Sequence, residues 1–130
     1  MVAMAGTYNF VSQNNTSEYL AAAGVGTIHR MAVSKTKPDI VVEVSGDNYT
    51  FTTKTSIKDV KISFTLGQEY ECDPGTGRTA KYITTKEGDS LITKEVADPS
   101  SVATRKFTDT ELVMTMTTKG ITATRTFKRA

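Results

Sequence analysis

Two arginines occupy positions where arginines are costly. In the segment ITATRTFKR, residues 121–129, an extended backbone alternates its side chains. Ile121, Ala123, Arg125 and Phe127 then share one face, and Thr122, Thr124, Thr126 and Lys128 the other. The threonine and lysine face is the wet one, so Arg125 lies on the apolar face between an alanine and a phenylalanine. A guanidinium there keeps its proton and needs a partner. The segment SVATRKFTD, residues 101–109, repeats the arrangement, with Ala103, Arg105 and Phe107 on one face. Between the two runs ELVMTMTT, whose Leu112, Met114 and Met116 share a face. If these three strands form a consecutive antiparallel meander, both arginines project from the same apolar surface on either side of a methionine-rich strand. Two arrangements satisfy such cations. In one, each arginine pairs with a buried carboxylate of the protein, or a bulge lets it reach water. In the other, both converge on the carboxylate of a ligand, whose geometry matches the guanidinium fork, in a pocket with few polar groups and many apolar ones. Methionine thioethers suit a wall that adapts to varied apolar chains, although they also fill cores.

Other chemistries find little support. His29 and Cys72 are the only histidine and cysteine in the chain, whereas a zinc site usually takes three or four such ligands. No serine, cysteine or histidine lies in a recognisable nucleophile context, so an enzyme is not expected. No metal or cofactor is implied. Sixteen basic residues against fourteen acidic ones give a net charge of +2, too balanced to suggest nucleic acid as a partner. Hydrophobic residues make up 38% and charged residues 23% of the 130, a composition of soluble globular proteins with room for one domain. No apolar run approaches the ~20 residues that cross a bilayer as a helix. MVAMAGTYNF lacks the pattern of a secretory signal, and the single cysteine cannot form an internal disulfide. A cytoplasmic, monomeric protein is the expectation.

The elements that must position the arginines are mostly strands. From residue 39 the chain breaks into short runs rich in Val, Ile, Thr, Tyr and Phe, separated by Gly, Asp, Asn and Pro. DIVVEVSG and NYTFTTKT flank the turn signal SGDN. VKISFTL, YECD, AKYITTK, SLITKEVA, SVATRKF, ELVMTMTT and ITATRTFK follow, and GTYNFVS stands near the start. About ten strands with such regular spacing predict a barrel or sandwich. Residues 14–38 break the pattern. Thr16 or Ser17 is expected to cap a helix beginning near Glu18, Gly24 to stop it, and a second short helix to run from about Thr27 to Lys35, ahead of Pro38.

GTYNF (6–10), YLAAAGVG (19–26), KTKP (35–38), ISFTLGQEYE (62–71), TTKEGD (84–89) and TRTFKR (124–129) appear in an order along the whole chain that resembles the intracellular lipid-binding proteins, nearest to the heart- and adipocyte-type fatty-acid-binding proteins. The resemblance implies a single all-β domain over residues 1–130, a ten-stranded antiparallel β-clam, that is, a lipocalin-like up-and-down barrel, capped by a helix-turn-helix. It also implies a non-enzymatic carrier of a long-chain fatty acid or similar apolar carboxylic acid. Two arginines and a tyrosine receive the ligand carboxylate in that family. Arg105 and Arg125 match the arginines, while Phe127 stands at the usual tyrosine position and leaves out one hydrogen bond. Cavity and portal positions map to Tyr19, Val25, Val33, Pro38, Ile57, Thr76 and Arg78, with Met114 and Met116 from the strand pattern. Arg30, Lys35 and Lys37 resemble a basic portal surface that touches anionic membranes transiently, and a solvated helix face is the alternative. A retinoic-acid carrier and a myelin-type membrane-associated relative of the same fold are the other functions that this resemblance leaves open.

Overall fold

The computed structural model describes residues 3–24, 26–28, 31, 37–55, 59–72 and 79–130. Ten strands and one described helix follow one another as β1 (Gly6–Asn14), α1 (Thr16–Ala22), β2 (Asp39–Ser45), β3 (Asn48–Lys54), β4 (Asp59–Thr65), β5 (Glu69–Cys72), β6 (Ala80–Glu87), β7 (Ser90–Glu95), β8 (Val102–Phe107), β9 (Glu111–Thr118) and β10 (Ile121–Arg129). All ten belong to one sheet, in the order β4-β3-β2-β1-β10-β9-β8-β7-β6-β5. Every strand but β4 and β5 pairs antiparallel with the next in sequence, and β1 pairs with β10, so the meander curls into a nearly closed barrel. Its seam lies between β4 and β5, which share no ladder. At the turn joining them, Gly67 N–H donates to Thr84 O (2.9 Å).

The expected strands match the observed ones closely because turn residues punctuate them. At the β9–β10 hairpin, Lys119 and Gly120 both adopt positive φ (49° and 79°), the backbone of a two-residue hairpin turn whose twist fits the flanking strands. The helix starts earlier than expected. Asn15, not Thr16 or Ser17, is the N-terminal cap, with φ 64°. Its side chain reaches across to donate to Thr122 O (2.9 Å), while Thr16 is a buried helical residue donating to Gln13 Oε1 (3.0 Å). Gly24, at φ 88°, ends the helix as expected. Helix α1 packs on β9 and β10 through buried Thr16 and Leu20. Thr27, Ile28 and Met31 are also helical, and the rest of the expected second helix lies outside the described residues.

The core gathers at the end of the barrel away from α1. Tyr8, Val42, Leu91, Phe107, Leu112 and Phe127 are all within 2% of complete burial. Aromatic contacts run from Tyr8 to Phe107, Phe51, Phe64 and Tyr70, with ring centroids 5.7, 6.4, 5.8 and 5.1 Å apart. Arg129 closes this end. It lies 4.8 Å over the Tyr8 ring, and its guanidinium donates to the carbonyls of Ala3, Ala5 and Thr108, tying both chain termini to the β8–β9 turn.

Candidate functional site

The meander β8-β9-β10 sets side chains in horizontal rows. Phe107, Leu112 and Phe127 are register partners, and Phe127 continues to Phe10 on β1, making an apolar floor. One row higher, Met114 faces Arg105 on one side and Arg125 on the other. Above them lie Ala103, Met116 and Ala123. The alternation therefore places both arginines on one face across a methionine strand, and strand spacing of ~4.8 Å sets their backbones ~10 Å apart.

Arg105, Met114 and Met116 line a cavity of about 230 Å³ that extends from the arginine row to the C-terminal end of α1. The Arg105 guanidinium stacks over the Phe51 ring (4.9 Å) and donates from Nη1 to Thr93 Oγ1 (3.1 Å). Its Nε is buried with no hydrogen-bond partner. Burial pushes its pKa below the ordinary value, opposed by Tyr70, Cys72 and Tyr19. Two carboxylates, Glu95 and Asp98, line the same cavity. The arginine remains a cation, held in an apolar wall and facing space.

Arg125 occupies a different environment. Its guanidinium lies 5.4 Å from the Phe10 ring and 5.8 Å from the Phe127 ring, Nε and Nη2 are buried without hydrogen-bond partners, and burial lowers its pKa. It does not line the 230 Å³ cavity. A register shift in β1 between Phe10 and Ser12 brings Gln13 opposite Arg125 and turns Val11 outward, 56% exposed. Phe127 is fully buried, packed edge-on against Phe10 at 5.7 Å.

Facing Arg105 is a chain of hydroxyls that the sequence did not single out. Thr93 Oγ1 is 2.7 Å from Thr84 Oγ1, which is 2.7 Å from the Tyr70 hydroxyl. Thr84 and Thr93 are direct partners across β6 and β7 and both are buried. Tyr70, Tyr82 and Glu95 line the cavity on this side. Burial, then the nearby Glu95 carboxylate, raises the pKa of the Tyr82 and Tyr19 phenols, so these groups stay neutral donors. Nearer α1, Ser101 shares a hydrogen bond with Thr118 (2.7 Å).

Of the sequence-predicted site residues, Arg105, Tyr19, Met114 and Met116 come together around the cavity. Pro38 is buried but does not line it, and Lys37 is exposed. Val25, Val33, Ile57, Thr76, Arg78, Arg30, Lys35 and His29 lie outside the described residues. Tyr70, Thr84 and Thr93 were missed because tyrosine and threonine alternate on wet faces as readily as dry ones. The available signal was that Thr93 shares its face with Leu91, and Thr84 with Tyr82.

A ten-stranded antiparallel barrel with an internal cavity, a cation in its wall and a helix at its mouth defines a carrier-type binding fold. The comparisons agree. The model of the lipocalin / cytosolic fatty-acid binding protein family matches residues 5–130, and the chain belongs to that family. A fatty acid-binding protein of Tyrophagus putrescentiae is 33% identical over 130 residues, covering 99% of each chain. A muscle fatty acid-binding protein of Schistocerca gregaria is 34% identical over 123 residues, 93% of this chain and 92% of its own. Among solved structures, a fatty acid-binding protein from Drosophila melanogaster brain tissue superposes with a TM-score of 0.86 at 34% identity, covering 94% of this chain and 95% of that one.

Proposed function

We propose that this chain is a non-enzymatic carrier, a single monomeric domain of the cytoplasm, that holds one long-chain fatty acid inside the barrel. Arg105 receives the carboxylate and Arg125 adds positive potential from behind. The observation that carries the reading is the Arg105 guanidinium, set in the wall of the cavity with its Nε buried and without a hydrogen-bond partner. A ligand acid supplies a counter-charge. The acyl chain then lies over Met114, Met116 and Ala103 towards α1, each methylene removed from water contributing ~0.8 kcal/mol, less the cost of ordering. The low positions of the arginine row, just above the aromatic floor, favour entry of the acid head first. The non-enzymatic part of the reading draws support from the family and from a chain with one histidine. Transient contact with anionic membranes through Arg30, Lys35 and Lys37 belongs to the same reading.

The test compares oleate with oleyl alcohol by calorimetry on delipidated protein. Arg105→Gln lowers oleate affinity at least tenfold, the worth of about one charge-assisted hydrogen bond, and oleyl alcohol affinity much less. Equal losses for both ligands refute the carboxylate role. Organic extraction and mass spectrometry of protein purified without delipidation identify the acid carried.

A further inference from the structure

The hydroxyls beside Arg105 carry one proton more than their mutual hydrogen bonds consume. A guanidinium only donates, so Arg105 Nη1 supplies the proton of its link to Thr93 Oγ1. Thr93, Thr84 and Tyr70 bring three hydroxyl protons of their own, and the two links joining them use two. One proton is left over, and three placements exist. On Thr84, which is completely buried, it would require both neighbours to donate to the same oxygen. On Thr93 it would sit beside the cation that the oxygen already accepts from. On Tyr70 every hydroxyl dipole points its oxygen towards Arg105 and its proton away, the order in which a charge at one end polarises a chain of hydrogen bonds cooperatively. Tyr70 lines the same cavity as Arg105, and its ring is fixed by stacking on Phe64, centroids 5.1 Å apart. In that placement the leftover proton is carried by a residue of the ligand cavity.

We propose that Tyr70 is a second, specificity-determining donor to the head group of the bound acid, with Thr84 and Thr93 acting as positioning residues that hold its proton towards the cavity. This rests on the fatty-acid reading given above. The barrel thereby reads an anionic head from two walls, β8 through the guanidinium and β5 through the phenol. It does so without a hydroxyl at position 127, where the floor carries phenylalanine. The arrangement prefers an acceptor with two oxygens and a negative charge over a lone hydroxyl head, which engages at most one of the two donors well.

The readout is the ratio of oleate to oleyl alcohol affinity, measured by calorimetry on the delipidated full chain. Tyr70→Phe removes one oxygen atom and keeps the stacked ring. It is expected to lower oleate affinity about tenfold and oleyl alcohol affinity less than about threefold, the difference between a charged and a neutral acceptor. Thr84→Val, which does not touch the ligand, shifts the ratio in the same direction, and Thr84→Ser restores it. A Tyr70→Phe ratio equal to that of the native chain, while Arg105→Gln still collapses it, overturns the Tyr70 donor and leaves the carrier reading standing. Equal losses of acid and alcohol in Tyr70→Phe also overturn it, since they report packing alone. A ratio unmoved by both Tyr70→Phe and Arg105→Gln overturns the donor and the acid-binding reading together.

Discussion

Arg125 is the residue at which binding and stability should move in opposite directions. Its Nε and Nη2 are buried without partners, and an unsatisfied buried donor costs ~1–3 kcal/mol. Against that cost stand cation–π contacts to Phe10 at 5.4 Å and Phe127 at 5.8 Å, worth ~0.5–2 kcal/mol each. Arg125→Met keeps an unbranched side chain of similar reach, removes both orphaned donors and gives up the two ring contacts. Taking the lower part of each range, the ligand-free protein gains about 1–2 kcal/mol, as is common when buried charges are replaced by apolar side chains of similar volume. In a chain of this length that corresponds to roughly 3–8 °C in Tm. The same substitution weakens oleate binding. A carboxylate held at Arg105 lies ~10 Å from the lost charge, which at an effective dielectric of ~30 is worth about 1 kcal/mol, or about fivefold in affinity. Differential scanning calorimetry on delipidated protein gives the first number and titration calorimetry the second. A Tm several degrees below the native value refutes the reasoning, because it means the guanidinium is a structural member of the floor and not a cation waiting above it.

Two further outcomes follow from the floor and from the tyrosines. Phe127→Tyr adds a hydroxyl in the layer just beneath Arg125. Oleate affinity should rise about fivefold, ~1 kcal/mol for one added hydrogen bond, with no gain in Tm of the ligand-free protein, since Phe127 is completely buried and the new oxygen loses water on folding; unchanged affinity in calorimetry places the ring away from the head group. Tyr82 is pushed well above its ordinary pKa of 10.0 by burial and by Glu95, so above pH ~10 the folded chain holds a proton that the unfolded chain releases. Stability is then fully present below pH ~10 and falls as pH rises beyond it. Urea midpoints at pH 9 and pH 11 should show that fall, and Tyr82→Phe should lessen it; an identical slope in both proteins assigns the alkaline loss to other groups.

What the sequence discloses about this site is set by periodicity, and what it withholds is set by height and register. An alternation of two is enough to put Arg105, Met114 and Arg125 on one face, and turn residues such as Lys119 and Gly120 are enough to make their strands neighbours, so the arginine row was legible. The start of α1 was not. Asn15 is fixed in a left-handed conformation while its side chain bonds to Thr122 O, a partner 107 residues away that no local preference reveals. The two arginines also read alike in sequence, each between an alanine and a phenylalanine, yet they differ in space. Arg105 has Phe51 on one side and open cavity on the other, whereas Arg125 is covered by Phe10, because β1 closes the barrel against β10. That closure joins the first strand to the last and lies outside the reach of any window along the chain. The hydroxyl chain depends on a longer conspiracy of registers. Thr84 meets Thr93 only because Glu87 pairs with Ser90 at the end of the β6–β7 hairpin, and a slip of one residue there would turn Thr93 out to solvent. The contact between Thr84 and Thr93 thus follows from a two-residue turn, Gly88 and Asp89, well outside the cavity.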